Sequence, residues 1–516
     1  MRRLIHFPLV LALVLPVVLA AVLSGGAWAQ QLAGPYKDSR SIPETPAYRR
    51  ALEIKDLVNK GDAAAVEAYA KENFAPEFLG AFPLAEHTAM FKEVRAVNGD
   101  LEVAAARSYD PPRPSTQAVL ILRGKLSEAW RAIVVDVEEA PPHRIAALQF
   151  APARPPSDLP KAEKLTDAEI AKELEGYVDR LAAQELFSGT VLVAKDGKPF
   201  VTKAVGLANR DFDAPVTLDT KFNLGSMNKM MTGVACMQLV EAGKLSLEDP
   251  VSKYLGDDWL PKVDKTKVKV KHLLTHTSGL GSYFTEEWDR SSRALYRSID
   301  DWKPICRNDT LAFEPGTSWQ YSNTGMLIAG AVVEKASGVN YYDYVRTHIT
   351  GPAGMTNSDF YETDRVNKNL AVGYEREVGP GGSGKGNGGE NDSEKAVYRN
   401  NLYAHVVRGG PAGGGYSTVE DLLKFDQALR GGKLLKKESL AELWRAYPEL
   451  GSEEYGLGWG IDQRAGSRVV GHTGGFDGIS AAFNMYLDTG YTVVTLSNMG
   501  RAAQLVQDKA KSLIER

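Results

Sequence analysis

The sequence predicts an α+β fold class, arranged as a small unit followed by a larger one, and three observations support this. Residues 43–153 begin with helical hydrophobic patterns and end with strand-like runs. A Pro-rich tract, residues 154–165, is then typical of a linker. In residues 166–516, strand-like runs gather at both ends around a mainly helical body. This suits one antiparallel sheet flanked by helices, with a large helical subdomain.

The small unit combines two helical patterns with four strand-like runs. The helical patterns span residues 45–62 and 63–79, and the strand-like runs are "LEVAAARSYD", "TQAVLILRG", "EAWRAIVVDVEE" and "HRIAALQFAP". Two helices followed by a four-strand meander resemble the cone-shaped NTF2-like domains in order and length. No residue in this unit assigns it a ligand or a partner.

The first 29 residues have the pattern of an export signal. A charged start, "MRR", precedes a long apolar run that ends in Ala27-Trp28-Ala29. This pattern predicts cleavage after Ala29 and a periplasmic or secreted mature protein. The apolar run approaches the length of a membrane span, so an uncleaved anchor is the alternative. Pro8, Pro16 and the small-x-small site favour cleavage, and we therefore expect no stable membrane anchor.

The charge balance and the cysteine and histidine spacings argue against nucleic-acid binding and against a metal or redox site. The 61 Lys and Arg residues against 65 Asp and Glu give a net charge of −4, and without a long basic run no nucleic-acid binding is predicted. Cys236 and Cys306 lack the spacing of a metal or redox site, and the sequence leaves open whether they pair. His272 and His276 lie four residues apart without the acidic residue of a His-Glu-x-x-His site. We therefore expect no cofactor and no metal.

The run "FNLGSMNKMMTGVACMQLV" contains the only Ser-x-x-Lys of the chain, at Ser226 and Lys229. A helix that starts at Ser226, with Met230 and Val234 on one apolar face, would place both side chains on the same side of its first turn. A serine hydroxyl becomes a good nucleophile when a neighbour takes its proton, and a buried lysine can do so. The alternative is a capping serine beside a solvated lysine, the usual outcome for a single Ser-x-x-Lys.

A Tyr-x-Asn motif downstream, in "FEPGTSWQYSNTG", supplies a phenol at Tyr321 and an amide at Asn323. If Tyr321 lies near Lys229, we expect the ammonium to lower the pKa of the phenol, so that a phenolate accepts the serine proton. Asn323 is predicted to hydrogen-bond the substrate and to fix its orientation.

A third motif, in "VVGHTGGFDG", lies on a strand pattern and begins with His472 and Thr473. Glycines in a strand let a substrate approach the backbone closely. The backbone N–H groups of Ser226 and Gly475 are predicted to hold the oxyanion of a tetrahedral intermediate. Losing one such donor costs roughly 3–4 kcal/mol in well-studied enzymes.

The order Ser-x-x-Lys, Tyr-x-Asn, His-Thr-Gly resembles the serine β-lactamase and penicillin-binding-protein superfamily. It is most similar to the branch of class C β-lactamases, D-alanyl-D-alanine carboxypeptidases and esterases, over about residues 166–516. The run "VKHLLTHTSGL" adds to the resemblance. The resemblance implies that Ser226 is the acylated nucleophile and that Lys229 and Tyr321 transfer protons. It also implies that Asn323, His472 and Thr473 bind the substrate.

The sequence therefore predicts an exported serine hydrolase that acts through an acyl-enzyme on small molecules or peptides. D-residue peptides, D-residue amides and small esters are the expected substrates. β-Lactamases of this branch usually carry lysine where this chain has His472, and a neutral imidazole is a weaker carboxylate anchor than an ammonium. True β-lactamase activity, or a non-catalytic penicillin or peptidoglycan sensor, is the alternative.

Overall fold

A computed structural model describes residues 35–159, 163–377, 397–463 and 467–516 of the chain. The predicted export signal, residues 1–29, lies outside the described residues, as does part of the predicted linker. Contacts divide the chain into two compact units, Met1–Pro160 and Lys161–Arg516. The division falls within the Pro-rich tract 154–165.

The first unit packs helices against one face of a five-stranded antiparallel sheet. Its helices are Pro46–Lys60, Ala63–Asn73, Pro76–Ala81 and Leu84–Asn98. Its strands pair in chain order and are Tyr36–Ser39, Leu101–Tyr109, Gln117–Gly124, Trp130–Val137 and Ile145–Pro152. The helices bury their apolar sides, including Ala51, Ile54 and Phe91, against the inward side chains Leu120 and Ile133 of the sheet.

Three details of this unit differ from the sequence prediction. The predicted helix 63–79 is divided because the backbone is extended at Phe74 and Ala75, and Pro76 then opens a new helix. A fourth helix, Leu84–Asn98, follows Pro83 and was not predicted. The strand Tyr36–Ser39 precedes the predicted start at residue 43, and it forms only through its pairing with Leu101–Tyr109.

A buried ion pair fixes that first strand to the sheet and to the Pro-rich tract. The Arg107 guanidinium donates to both oxygens of Asp38, at 2.8 and 3.0 Å, and both side chains are almost fully buried. Arg107 also donates to the carbonyl oxygens of Arg154 and Pro155, and the Ser157 N–H donates to Asp38. The first part of the Pro-rich tract is thus bonded to the small unit.

The second unit is built on a six-stranded antiparallel sheet that takes strands from both ends of its sequence, as predicted. Across the sheet the strands are Gly460–Asp462, Val469–Phe476, Ile479–Tyr486, Tyr491–Ser497, Gly189–Lys195 and Lys198–Val205. The last two form the hairpin predicted at Asp196-Gly197. The terminal helices Asp167–Ala183 and Ala502–Ile514 contact each other and the sheet, and the predicted capping box of Thr166 and Glu169 is formed.

The remaining elements of this unit are mainly helical. Its α-helices are Asn228–Glu241, Val270–Leu274, Glu286–Arg290, Lys303–Cys306, Asn323–Ser337, Tyr341–Val345, Gly351–Ala353, Val419–Arg430 and Lys437–Leu443. Short 3₁₀ turns are Gly225–Met227, Val251–Lys253, Arg293–Leu295, Ile299–Trp302 and Pro448–Leu450, and Arg346–Thr350 is π-helical. Small two-stranded pairings join Leu207–Asn209 to Ala214–Pro215, Phe222–Asn223 to Tyr416–Ser417, and Tyr374–Glu377 to Val397–Asn400.

The helix Asn228–Glu241 lies at the centre of this unit. The sequence predicted one apolar face, but the helix is buried on nearly all sides, and its neighbour Asn323–Ser337 is buried almost as completely. Polar groups on these helices therefore need partners within the protein. Cys236 and Cys306 are both buried and unpaired. Among the described residues, no helix combines the length and apolarity that a membrane span requires.

Candidate active site

Ser226 lies in a 3₁₀ turn, Gly225–Met227, immediately before the helix Asn228–Glu241. The predicted helix start is therefore displaced by two residues, but Ser226 and Lys229 still lie on the same side of the chain. Gly225 has a φ of +49°, and a Cβ there would lie 2.9 Å from the Gly475 backbone nitrogen. Only glycine fits at this position, because the turn lies directly against the strand Val469–Phe476.

Lys229 is completely buried and makes three polar contacts, none of them to a carboxylate. Its Nζ lies 3.0 Å from Ser226 Oγ, 2.9 Å from Asn323 Oδ1 and 2.6 Å from the carbonyl oxygen of Ala412. Burial lowers the pKa of Lys229 well below its ordinary value. The side chain is therefore poised to be a neutral amine.

The identity of these three contacts decides which way the serine proton points. A neutral amine has two N–H donors and one lone pair. The oxygens of Asn323 and Ala412 only accept hydrogen bonds, so they take the two N–H groups. The lone pair of Lys229 then faces Ser226 Oγ, whose hydroxyl can donate to it. This is the arrangement of a nucleophile beside its base.

Tyr321 completes the contact with Ser226. Its ring centroid lies 4.8 Å from Lys229 Nζ, and the Ser226 side chain is near enough to the phenol to influence its pKa. The prediction that Lys229 lowers the pKa of Tyr321 is wrong here. Burial raises the pKa of the phenol well above its usual value, and the nearby Ser226 opposes that rise only in part. In the free site Tyr321 is a protonated phenol and Lys229 is the stronger candidate base.

Asn323 joins the site through both ends of its amide. Its Oδ1 accepts from Lys229, and its Nδ2 donates to Ser282 Oγ at 3.2 Å. The residue opens the helix Asn323–Ser337, whose N-cap Ser322 accepts from the Gly325 N–H. The amide thus holds Lys229 in place, in addition to the substrate contact that was predicted for it.

His472 lies on the strand Val469–Phe476, next to the exposed Thr473. Its Nδ1 lies 2.5 Å from the Thr473 carbonyl oxygen, and its Nε2 lies 2.7 Å from the Tyr455 hydroxyl. Burial is the main cause that lowers the pKa of His472, to about 3. In this arrangement both ring nitrogens are engaged within the protein, and neither is free to bind a substrate carboxylate.

The strand edge beside Ser226 is open to a substrate. On that side the short strand Gly460–Asp462 pairs only with residues Val469, Val470 and Gly471. From His472 onward, within the part of the chain that the structure describes, this strand pairs with Ile479–Tyr486 alone. Gly475 has open space where its side chain would lie, and its nitrogen lies beside Gly225. The predicted oxyanion donors, Ser226 and Gly475, are thus neighbours.

Three groups at the site were missed by the sequence prediction. The carbonyl of Ala412 binds Lys229, and Tyr455 binds His472. From the sequence His276 is considered only as a possible metal ligand, yet its ring centroid lies 4.4 Å from that of Tyr321 and 4.6 Å from that of Tyr455. Its Nδ1 accepts from the Ser322 N–H. His276 has a left-handed φ of +61°, with its ring in the site, and no local sequence pattern predicts this backbone conformation.

No cluster of three His, Cys, Asp or Glu side chains suited to a metal ion is found in the described part of the chain. The site is built instead from a serine, a lysine, a tyrosine and an amide around an open strand edge.

The larger unit is similar in sequence to known proteins. The model of the family described as beta-lactamase matches residues 174–514. The chain belongs to the beta-lactamase family. It is 32% identical over 344 residues to penicillin-binding protein 4* of Bacillus subtilis, covering 63% of this chain and 71% of that protein. It is 29% identical over 335 residues to esterase EstB of Burkholderia gladioli, covering 58% of this chain and 81% of that protein.

The fold of the larger unit is also found in solved structures. The penicillin binding protein from Bacillus halodurans superposes with a TM-score of 0.56 and 29% identity, covering 68% of this chain and all of that one. The predicted superfamily and the α+β fold class are thereby confirmed. This family member is a serine hydrolase of the β-lactamase and penicillin-binding-protein superfamily.

Proposed function

We propose that the protein hydrolyses peptides or amides of D-residues, or small esters, through an acyl-enzyme on Ser226. The observation that carries the proposal is the contact set of Lys229. A buried lysine without a carboxylate partner, with two carbonyl acceptors and one serine hydroxyl around it, is arranged to take the serine proton. A lysine used only for structure would be expected to have an acidic partner.

In the first step Ser226 Oγ attacks the substrate carbonyl carbon while its proton moves to Lys229 Nζ. The carbonyl oxygen gains negative charge and is held by the backbone N–H groups of Ser226 and Gly475. The protonated Tyr321 then donates its proton to the departing amine or alcohol and regains one from Lys229. The bond to the leaving group breaks, and the acyl group remains on Ser226.

In the second step water attacks the acyl-enzyme carbonyl. Lys229, again neutral, and Tyr321 are the groups placed to take the water proton and return one to Ser226. The product is the free acid, and the site returns to its starting state. Atoms and charges balance without any cofactor.

The substrate class is supported by the similarity to both a penicillin-binding protein and an esterase, and by the open strand edge next to Ser226. We further propose that the protein works outside the cytoplasm, since its first 29 residues have the pattern of a cleaved export signal.

The decisive experiment is covalent labelling by a serine-reactive phosphonate, followed by intact-mass spectrometry. The wild-type protein should gain one adduct, and the Ser226→Ala variant should gain none. Ser252→Ala, which changes an exposed serine, is the matched control and should label normally. Labelling that persists in Ser226→Ala would refute the assignment.

Brief exposure to a penicillin separates the alternatives in the same assay. A stable adduct on Ser226 would indicate a carboxypeptidase or a sensor, and rapid ester turnover without an adduct would indicate an esterase. Penicillin consumed without a lasting adduct would indicate a β-lactamase.

A further inference from the structure

The hydrogen bonds of His472 fix its tautomer. The Thr473 carbonyl can only accept, so Nδ1 of His472 carries the proton that it donates over 2.5 Å. Nε2 is then a lone-pair acceptor, and the Tyr455 hydroxyl donates to it over 2.7 Å. The imidazole is neutral, and neither of its nitrogens is left for a substrate.

The backbone holds Tyr455 in position for this contact. Tyr455 forms a bridge with Gly460, and Gly460 pairs with Gly471, the residue before His472. The tyrosine side chain is 8% exposed and packs its ring against His276. The hydrogen bonds of the described residues give its hydroxyl no acceptor besides His472.

The surroundings oppose a charged imidazole. The titratable groups that face His472 are Lys229, His276, Tyr321 and Tyr455. All are bases or phenols, and none supplies a negative charge at neutral pH. An imidazolium would also need the Tyr455 hydroxyl to turn and accept, which would leave its proton buried without a partner.

We propose that Tyr455 is a positioning residue that determines specificity by holding His472 in internal hydrogen bonds. The site then favours acyl donors whose leaving group is uncharged over those that carry a carboxylate there. The inference rests on the proposed function, since it concerns the substrate that Ser226 attacks. The site would then select simple esters and amides over peptides that end in a free carboxylate.

A matched substrate pair tests this directly. Benzoylglycyl thioglycolate and its thioglycolamide differ only in one carboxylate, and thiol release reports cleavage of either. We expect the wild-type protein to give a kcat/KM at least tenfold higher for the uncharged thioester, with a ratio that stays constant between pH 5 and 8.

Tyr455→Phe should change the pH profile of that ratio. Without the donor hydroxyl, Nε2 has no partner within the protein, and a bound substrate carboxylate can supply the counter-charge that lets it take a proton as the pH falls. The ratio should therefore fall at least fivefold at pH 5 and recover by pH 8. Adding His472→Gln to Tyr455→Phe should abolish this pH dependence. Tyr447→Phe removes a buried hydroxyl that bonds Glu442 instead, and it should keep the wild-type ratio.

A second readout does not depend on turnover. NMR of the imidazole, assigned with His472→Gln, should show the Nδ1–H tautomer in the wild type and a raised pKa in Tyr455→Phe. A wild-type preference for the charged thioester would overturn the proposal. So would a ratio and a His472 titration that are both unchanged in Tyr455→Phe. Thioester cleavage that survives Ser226→Ala would instead refute the proposed function, and the NMR titration would still decide the role of Tyr455.

Discussion

Each of the two units buries a basic side chain, but the groups that surround it are of opposite kinds. In the small unit, Arg107 meets the fully buried Asp38 through two hydrogen bonds. In the large unit, Lys229 is just as deeply buried, but among the described residues its Nζ hydrogen-bonds only with neutral oxygens, those of Ser226, Asn323 and Ala412. One site balances the charge with a counter-ion, and in the other, burial lowers the pKa of the lysine and so favours its neutral form.

The difference separates a structural cation from a chemical one. A guanidinium stays protonated in proteins, so its burial requires a counter-charge. An amine can lose its proton instead and then becomes a base. Among the described residues no carboxylate contacts Lys229, and this is what fits the site for proton transfer.

The largest expected effect comes from Lys229→Met. Removing the base should lower kcat/KM for an ester substrate about 10³-fold. The free energy of unfolding should change by less than about 2 kcal/mol. The gain from no longer deprotonating a buried lysine is offset by leaving the oxygens of Asn323 and Ala412 without a donor. Kinetics and urea unfolding of the same preparation test both statements, and a large loss of stability would make Lys229 structural.

Arg107→Met should give the reverse result. The buried carboxylate of Asp38 would lose its counter-ion, at a cost of about 3–5 kcal/mol in the unfolding of the small unit. Ester kcat/KM should be unchanged at temperatures where the variant is folded. Adding Asp38→Leu removes the second charge and should restore most of the lost stability. Failure of that rescue would show that the ion pair is not the cause.

Asn323→Asp would make the lysine site resemble the arginine site. The new carboxylate would lie within hydrogen-bonding distance of Lys229, raise its pKa and keep it protonated near neutral pH. We expect kcat/KM at pH 7 to fall about 10²-fold and to recover as the pH rises. Asn323→Ala, which adds no charge, should lower activity without moving the acid limb of the pH profile to higher pH.

The smallest effect is a difference in the pH dependence of stability. Above its lowered pKa, Lys229 binds no proton in the folded state, but it binds one when unfolded up to about pH 10. Unfolding then takes up a proton, so the free energy of unfolding rises with pH. Relative to Lys229→Met, the wild type should gain about 1.4 kcal/mol per pH unit between pH 7 and 9. Parallel urea titrations with no such difference would show that Lys229 is charged in the fold.

The residues of the lysine site could be predicted from the sequence, but the ion pair of the small unit could not. Three short motifs marked Ser226, Lys229, Tyr321 and Asn323, because each motif is local and its spacing is characteristic. The ion pair of Arg107 and Asp38 joins residues 69 positions apart, and no pattern in either segment indicates it. The small unit also has two more helices than were predicted. At Pro76 a new helix begins although the hydrophobic pattern is continuous, and after Pro83 a helix begins where the predicted helical pattern has already ended.

The sequence by itself determined the α+β class, the sheet assembled from both ends of the larger unit, and four of the side chains that meet at the site, those of Ser226, Lys229, Tyr321 and Asn323. Only the tertiary structure decided their protonation. It buried Lys229 without a carboxylate, raised rather than lowered the pKa of Tyr321, and brought Tyr455 to His472. The physical reason is that a pKa depends on desolvation and on neighbours from distant segments, and both of these exist only once the chain is packed.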